Sequence, residues 1–238
     1  MTDPLHRLLE IQDLDVAADQ LRHRRDTLPE RARLTAARSA AHDHESGLVE
    51  LRASLDRTVA EQRAAERELE ALAGRAEAEE RRLYGGGVTA VREVEAVQAE
   101  LASIVRRQGA LEDDVLTHMD EVDELTRHIA GEEGELAARQ QEAAGLIGAI
   151  EAAEAAIDAE LATTAAAREA LAATVAADVL ADYERRRSRL GGVAVARLEG
   201  GRCLGCHLSL PATEVDAIRR APEGALVTHE ECGRILVR

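Results

Sequence analysis

Leu83-Tyr84-Gly85-Gly86-Gly87-Val88-Thr89 divides the chain into two nearly equal arms, about 80 residues before it and about 85 after it. Three successive glycines would each cost a helix about 1 kcal/mol relative to alanine. They also admit the positive φ that a chain reversal needs. Thr89 is the expected N-cap of the returning helix. Tyr84 is expected to pack this tip, with contact to a partner as the alternative. The triplet is not a phosphate loop, because no Gly-Lys-Ser/Thr follows it and no strand pattern precedes it.

Both arms repeat apolar residues in alternating steps of three and four. The first begins at Ile11, Leu14, Ala18, Leu21 and Leu28. After Pro29, which predicts a kink or break, it resumes at Leu34, Ala37 and Ala41 and keeps step through Leu48, Leu55, Leu69 and Leu72 to Leu83. The second starts at Val94, Val97, Leu101 and Ile104, continues through Leu111, Leu125, Leu146 and Ile157, and weakens toward Leu171. A 3.5-residue repeat of this persistence is a coiled-coil seam. Equal arms about a tight turn predict an antiparallel hairpin within one chain, on the order of 110 Å long. His44, His118, Gln62, Gln108, Glu132 and Arg139 fall on the seam and read as register-setting or snorkelling residues. Gly131, Gly134, Gly145 and Gly148 predict a softer stretch.

Composition agrees. The 238 residues include two tyrosines, no Phe and no Trp, so a large compact core is not expected. All 30 basic residues are arginine, a bias that reads as genomic. Asp3 and Pro4 with no apolar run predict no signal peptide, and no uncharged stretch is long enough for a membrane span. The location expected is cytoplasmic. Residues 179–238 carry 10 Arg against 8 Asp and Glu; residues 1–178 carry 20 Arg against 38 acids. An acidic stalk repels nucleic acid along its length, so a polyanion contact belongs in the C-terminal third. Arg185, Arg186, Arg187, Arg189, Arg197 and Arg202 cluster there, with Arg219, Arg220 and Arg234 further along. The competing reading of such a run is a solvated helix face.

All three cysteines lie in two short pairs, Cys203-Leu-Gly-Cys206 and His229-Glu-Glu-Cys232, separated by 22 residues. Each pair has the i, i+3 spacing of a zinc knuckle, and together they supply the four ligands of one tetrahedral structural Zn²⁺. His207, beside Cys206, is the alternative fourth ligand, and three free thiols are the bland alternative. A closed shell leaves no position for catalytic water. Around the pairs, Val179–Leu190 reads as a helix ended by Gly191-Gly192, Val193 to Leu198 as a strand, Ala212–Arg220 as a short helix, and Ile235-Leu236-Val237 as a strand. A module of about 45 residues seldom folds on apolar burial alone, and zinc supplies the staple. The expected organisation is a hairpin over residues 1–178 and a connecting helix with zinc ribbon over residues 179–238. The fold class is mainly α, with a small α+β head. Gly191-Gly192 would let that head take either orientation.

These segments resemble the bacterial family of long coiled-coil hairpins with a C-terminal C4-type zinc ribbon. The resemblance rests on Leu83–Val88 and Glu93–Glu100 at the reversal, on Tyr183-Glu184-Arg185, on Gly201–Cys206 and on the closing Cys232-Gly233-Arg234-Ile235-Leu236. It covers essentially the whole chain. In that family four cysteines hold the metal; here His229 stands where the third is expected. The resemblance implies association with nucleic acid or with protein partners. Members in flagellated bacteria bind an alternative sigma factor and a flagellin transcript, a role that no residue here carries over.

The reading is therefore a non-enzymatic zinc-ribbon adaptor that meets nucleic acid through Arg185, Arg186, Arg187, Arg189, Arg202 and Arg234. The alternative is a coiled-coil scaffold or chaperone that meets protein through its stalk or tip. A factor inserting its tip into RNA polymerase would carry exposed acids there, where this chain has Tyr-Gly-Gly-Gly. No Ser-His-Asp spacing, nucleotide loop or distinguishable carboxylate pair supports an enzyme or a small-molecule substrate. A RING-type ligase is excluded, since it needs eight ligands.

Overall fold

The computed structural model describes residues 4–222 and 224–238. The first three residues of the expected hairpin and Glu223 of the expected head lie outside the described residues. The chain runs α1 (Pro4–Asp26), α2 (Pro29–Tyr84), α3 (Val91–Ala172), α4 (Ala177–Arg189), β1 (Val195–Glu199), β2 (Arg202–Cys203), α5 (Ala212–Arg220) and β3 (Ile235–Val237). It is mainly α, a long antiparallel coiled-coil hairpin with a small C-terminal ribbon. Among the described residues no helix is long and apolar enough to cross a membrane. Two compact units divide it: Arg33–Leu146, and Met1–Ala32 together with Ile147–Arg238.

In the Arg33–Leu146 unit, every heptad position named above is buried or half-buried. Ala65, Leu72, Ile104 and Leu111 form one cluster, flanked by Leu69, Ala76 and Val115. His44 meets Glu132 across the seam, Nδ1 to Oε2 at 2.6 Å. Exposed pairs Arg52–Glu133, Arg75–Glu100 and Arg107–Glu68 border it; such pairs add little stability.

Two expectations for the helices are corrected. Tyr84 is 82% exposed, whereas Val88 is buried at the turn, so Val88 and not the tyrosine packs the tip. Val88 reaches inward from a non-helical stretch, which delays the helix start. Glu93 and Val94 bond to the Ala90 carbonyl at 3.0 and 3.1 Å, leaving Ala90 in the N-cap place and Thr89 exposed outside it. Helix α3 runs unbroken through Gly131, Gly134, Gly145 and Gly148. A Cβ at any of them would meet nothing within 4 Å, so no packing defect accompanies their entropic cost.

In the other unit, the helix stops at Asp26 and Pro29 begins the next one, where its missing N–H is harmless. The sheet order is β2-β1-β3. Strand β1 runs parallel to β3 with Val195 opposite Ile235, and antiparallel to β2 with Leu198 opposite Cys203. The two-residue period of a strand gives this sheet two apolar faces. Val195, Ile235 and Val237 join Leu5, Leu8, Leu9 and Ile11 of α1, Val175 of the α3–α4 connection and Tyr183 of α4. Ala196 and Leu236 join Cys203, Leu210 and Ile218 on the opposite face.

Helix α1 thus packs directly on the ribbon sheet. Its Gln12, 7% exposed, acts as a partner for the open side of β1. The amide Nε2 donates to Val195 O at 2.8 Å, and Oε1 accepts from Ala194 N and Val195 N at 2.7 and 2.6 Å. One turn on, Asp15 accepts from Tyr183 Oη at 2.7 Å and from Arg168 Nε at 3.1 Å. Burial, then the Asp15 carboxylate, pushes the Tyr183 phenol far above its ordinary range.

Candidate metal centre

The two knuckles share one backbone plan. In the first, Cys203 N donates to Leu208 O at 3.0 Å and His207 N to Cys203 O at 2.8 Å. In the second, His229 N donates to Arg234 O at 2.9 Å and Gly233 N to His229 O at 2.8 Å. The fifth residue of each turn has left-handed backbone: His207 at φ 62° and Gly233 at φ 69°. His207 therefore stands where Gly233 stands in the other knuckle, exposed and turned out of the donor cluster.

The cluster itself is Cys203, Cys206, His229 and Cys232, whose ligand atoms all lie within 4.8 Å of one another. His229 Nδ1 lies 3.3 Å from Cys206 Sγ and 3.0 Å from Cys232 Sγ. Edges of a zinc tetrahedron with these donors measure about 3.5–3.8 Å, so the set has the size and chemistry of a single structural zinc. Cys203 and His229 are buried at 0% and 1% exposure, and Cys206 and Cys232 are half-buried. The centre is closed, as a structural site requires.

Local electrostatics pull the two thiols of the first knuckle in opposite directions. Desolvation pushes the Cys203 thiol up, against the backbone N–H groups of Cys206 and Gly205. At Cys206 desolvation also pulls upward. The Leu208 N–H, hydrogen bonds with Cys232 and Cys203 and the Arg234 charge outweigh it, so this thiol lies below its ordinary value. Thiolate is the ligating form. The ring of His229 is less well served, because its Nε2 is buried without a hydrogen-bond partner among the described residues.

The match to known proteins is now decisive. Residues 11–191 match the CT398-like coiled coil hairpin domain, and residues 202–236 match the C4-type zinc ribbon domain. The chain belongs to the CT398-like coiled-coil hairpin family. A relative in Mycobacterium tuberculosis (strain CDC 1551 / Oshkosh), an uncharacterized protein, is 32% identical over 234 residues, 97% of this chain and 94% of the relative. A solved structure from Mycobacterium smegmatis superposes with TM-score 0.83 at 26% identity, covering 99% of this chain and 97% of that one. CT398 from Chlamydia trachomatis superposes with TM-score 0.71 at 19% identity, covering 98% and 96%, and shares the fold. Within a ribbon of the C4 type, His229 makes the donor set of this member Cys₃His.

Three of the six arginines expected to meet nucleic acid make contacts within the fold. Arg186 bonds Asp182 at 2.7 Å and Gly233 O at 2.6 Å. Arg187 is half-buried against Asp15 and Asp19 of α1. Arg234 Nε donates to Val193 O at 3.1 Å. Arg202 Nε holds His207 O at 2.7 Å while remaining exposed. Arg185 is exposed beside Asp182, and Arg189 is exposed. Sequence reasoning missed the acids that engage these side chains. Asp15 and Asp19 lie more than 160 residues away, and residue spacing carries no signal of that kind.

Proposed function

We propose that the protein is a non-enzymatic adaptor that engages a protein partner through its coiled-coil hairpin, with one zinc in a purely structural ribbon. Cys203, Cys206, His229 and Cys232 would hold the ion, which ties the two knuckles together and leaves no coordination position for a substrate. The observation that carries this reading is the internal use of Arg186, Arg187 and Arg234, which removes half of the basic surface a nucleic-acid site would need. The exposed tip supports it too: Tyr84 and Val91 are 82% and 73% exposed on either side of the reversal. Division of labour near residue 178, stalk before and ribbon after, belongs to the same proposal.

A second reading is favoured by the exposure of Arg185, Arg189 and Arg202, which leaves three cations for phosphate contacts. Both are tested with the full chain. Photo-crosslinking from a probe at position 84 should trap a discrete protein partner in cells. Anisotropy with single-stranded RNA and duplex DNA should show no salt-sensitive binding near physiological ionic strength. Salt-sensitive binding that disappears in R189Q/R202Q, together with no partner trapped from the tip, would overturn the adaptor reading in favour of nucleic acid.

A further inference from the structure

Three thiolates and one neutral imidazole around Zn²⁺ carry a net charge of −1. A partly buried net charge needs a compensating cation nearby. Four exposed ribbon arginines have other partners or face solvent. Arg197 points to solvent from β1, Arg202 donates its Nε to His207 O at 2.7 Å, Arg220 pairs with Asp216 on α5, and Arg238 caps the carbonyls of Arg219, Ala221 and Pro222.

Arg234 lies elsewhere. A Cβ built on Gly205 would sit 2.6 Å from Arg234 Cδ, 3.0 Å from its Nε and 2.9 Å from Ala196 Cβ. The arginine shaft therefore crosses the main chain of the first knuckle, between its two cysteines. The same residue belongs to the second knuckle, where its carbonyl accepts from His229 N at 2.9 Å. Its Nε is fixed by Val193 O at 3.1 Å, and the preceding carbonyl is fixed by Arg186. One residue thus touches both knuckles, the first through its side chain and the second through its carbonyl, and is held from two sides.

We propose that Arg234 is the counter-charge and positioning residue of the zinc centre, and that Gly205 is glycine so that this side chain can lie across the first knuckle. This rests on the four-ligand zinc reading. It also removes Arg234 from the surface available to nucleic acid.

The test is zinc affinity of the full chain by competition with a chromophoric chelator, beside the absorption spectrum of the Co²⁺-loaded protein. Arg234→Gln should weaken zinc about 10–100-fold, as loss of an outer-sphere partner does. Arg234→Lys, which keeps the charge, should recover part of that loss. Gly205→Ala should weaken zinc at least as much, because the methyl displaces the same side chain and also crowds Ala196 Cβ. Combining the two should give less than the sum of the separate losses, as expected for residues that share a contact. Arg197→Gln should leave the affinity unchanged, and the cobalt spectrum of Arg234→Lys should stay tetrahedral. Affinities of Arg234→Gln and Gly205→Ala within twofold of the parent would overturn the proposal, as would Arg234→Lys no better than Arg234→Gln. If Cys206→Ser and His229→Ala also retain metal, the ligand assignment itself fails. If they lose it while Arg234→Gln does not, only the role of Arg234 fails.

Discussion

Replacing Gln12 tests whether the N-terminal helix completes the ribbon sheet. The side chain satisfies three buried backbone groups, the N–H of Ala194 and both the N–H and C=O of Val195. Strand β2 begins to pair only at Leu198, so nothing else in β2 reaches Val195 on that side. An orphaned buried group costs about 1–3 kcal/mol, so three of them set a loss of about 3 kcal/mol even at the low end. Gln12→Met keeps the volume and removes all three bonds, which separates hydrogen bonding from packing. Gln12→Glu keeps the two acceptor bonds but sets a carboxylate oxygen against Val195 O, and should fall as far or further. The chain has two compact units, so one global transition is not a safe measure. Local hydrogen exchange is the better assay. At about 1.4 kcal/mol per decade, the amides of Ala194 and Val195 should exchange at least about 100-fold faster in Gln12→Met. Exchange within about threefold of the parent would refute the argument, because the bonds would then contribute nothing to holding the strand.

Other outcomes follow from the same contacts. Leu8→Ala removes a fully buried side chain between α1 and the sheet and should destabilise this unit by about 2–5 kcal/mol, read by chemical denaturation. His207→Gly should leave zinc content unchanged and stability undiminished, because it replaces a left-handed histidine outside the donor cluster, whereas His229→Ala should lose the metal on elemental analysis. The Arg186 hydrogen bond, with burial opposing and Arg185 assisting, holds the Asp182 carboxyl below its ordinary value. A depressed carboxylate contributes stability that is present above the unfolded value of about 3.9 and is lost as pH falls through the folded one. Acid titration should therefore loosen the α4–ribbon contact below about pH 4, and Asp182→Asn should flatten that limb.

The hairpin was legible because coiled-coil burial is periodic. Positions from Leu34 to Leu83 and from Val94 to Ile157 could be placed by counting, and even the polar pair His44–Glu132 fell on the seam. The ribbon helix at Ala212–Arg220 and the last strand were marked by Pro211, Pro222 and the apolar run Ile235-Leu236-Val237. What stayed hidden was long-range and polar. Gln12 reads as an ordinary surface residue between Ile11 and Leu14, and its partners are 182 and 183 residues distant. One signal was available. Leu5, Leu8, Leu9 and Ile11 make a stripe wider than a two-helix seam needs, and a stripe of that width calls for a third element. The arginines misled for a related reason: a count of charges records how many there are, not which acids the fold brings beside them.

The two faces of the sheet have different supports, and this bounds what the metal can be responsible for. Val195, Ile235 and Val237 rest on α1 and α4, an apolar layer that needs no ion. Ala196 and Leu236, one residue out of step, rest on Cys203, Leu210 and Ile218, a group too small to persist unless the knuckles are tied. Zinc removal should therefore act on one face. With strong chelator, amides of residues 203–210 and 227–233 and the α5 helix should lose protection. Those of Leu8, Ile11 and Tyr183 should keep theirs, and the coiled-coil helicity should not change. Uniform loss on both faces would mean that the helical layer depends on the ion, and loss on neither would mean that the knuckle turns hold without it. Either result would break the link drawn here between strand alternation and the two sources of ribbon stability.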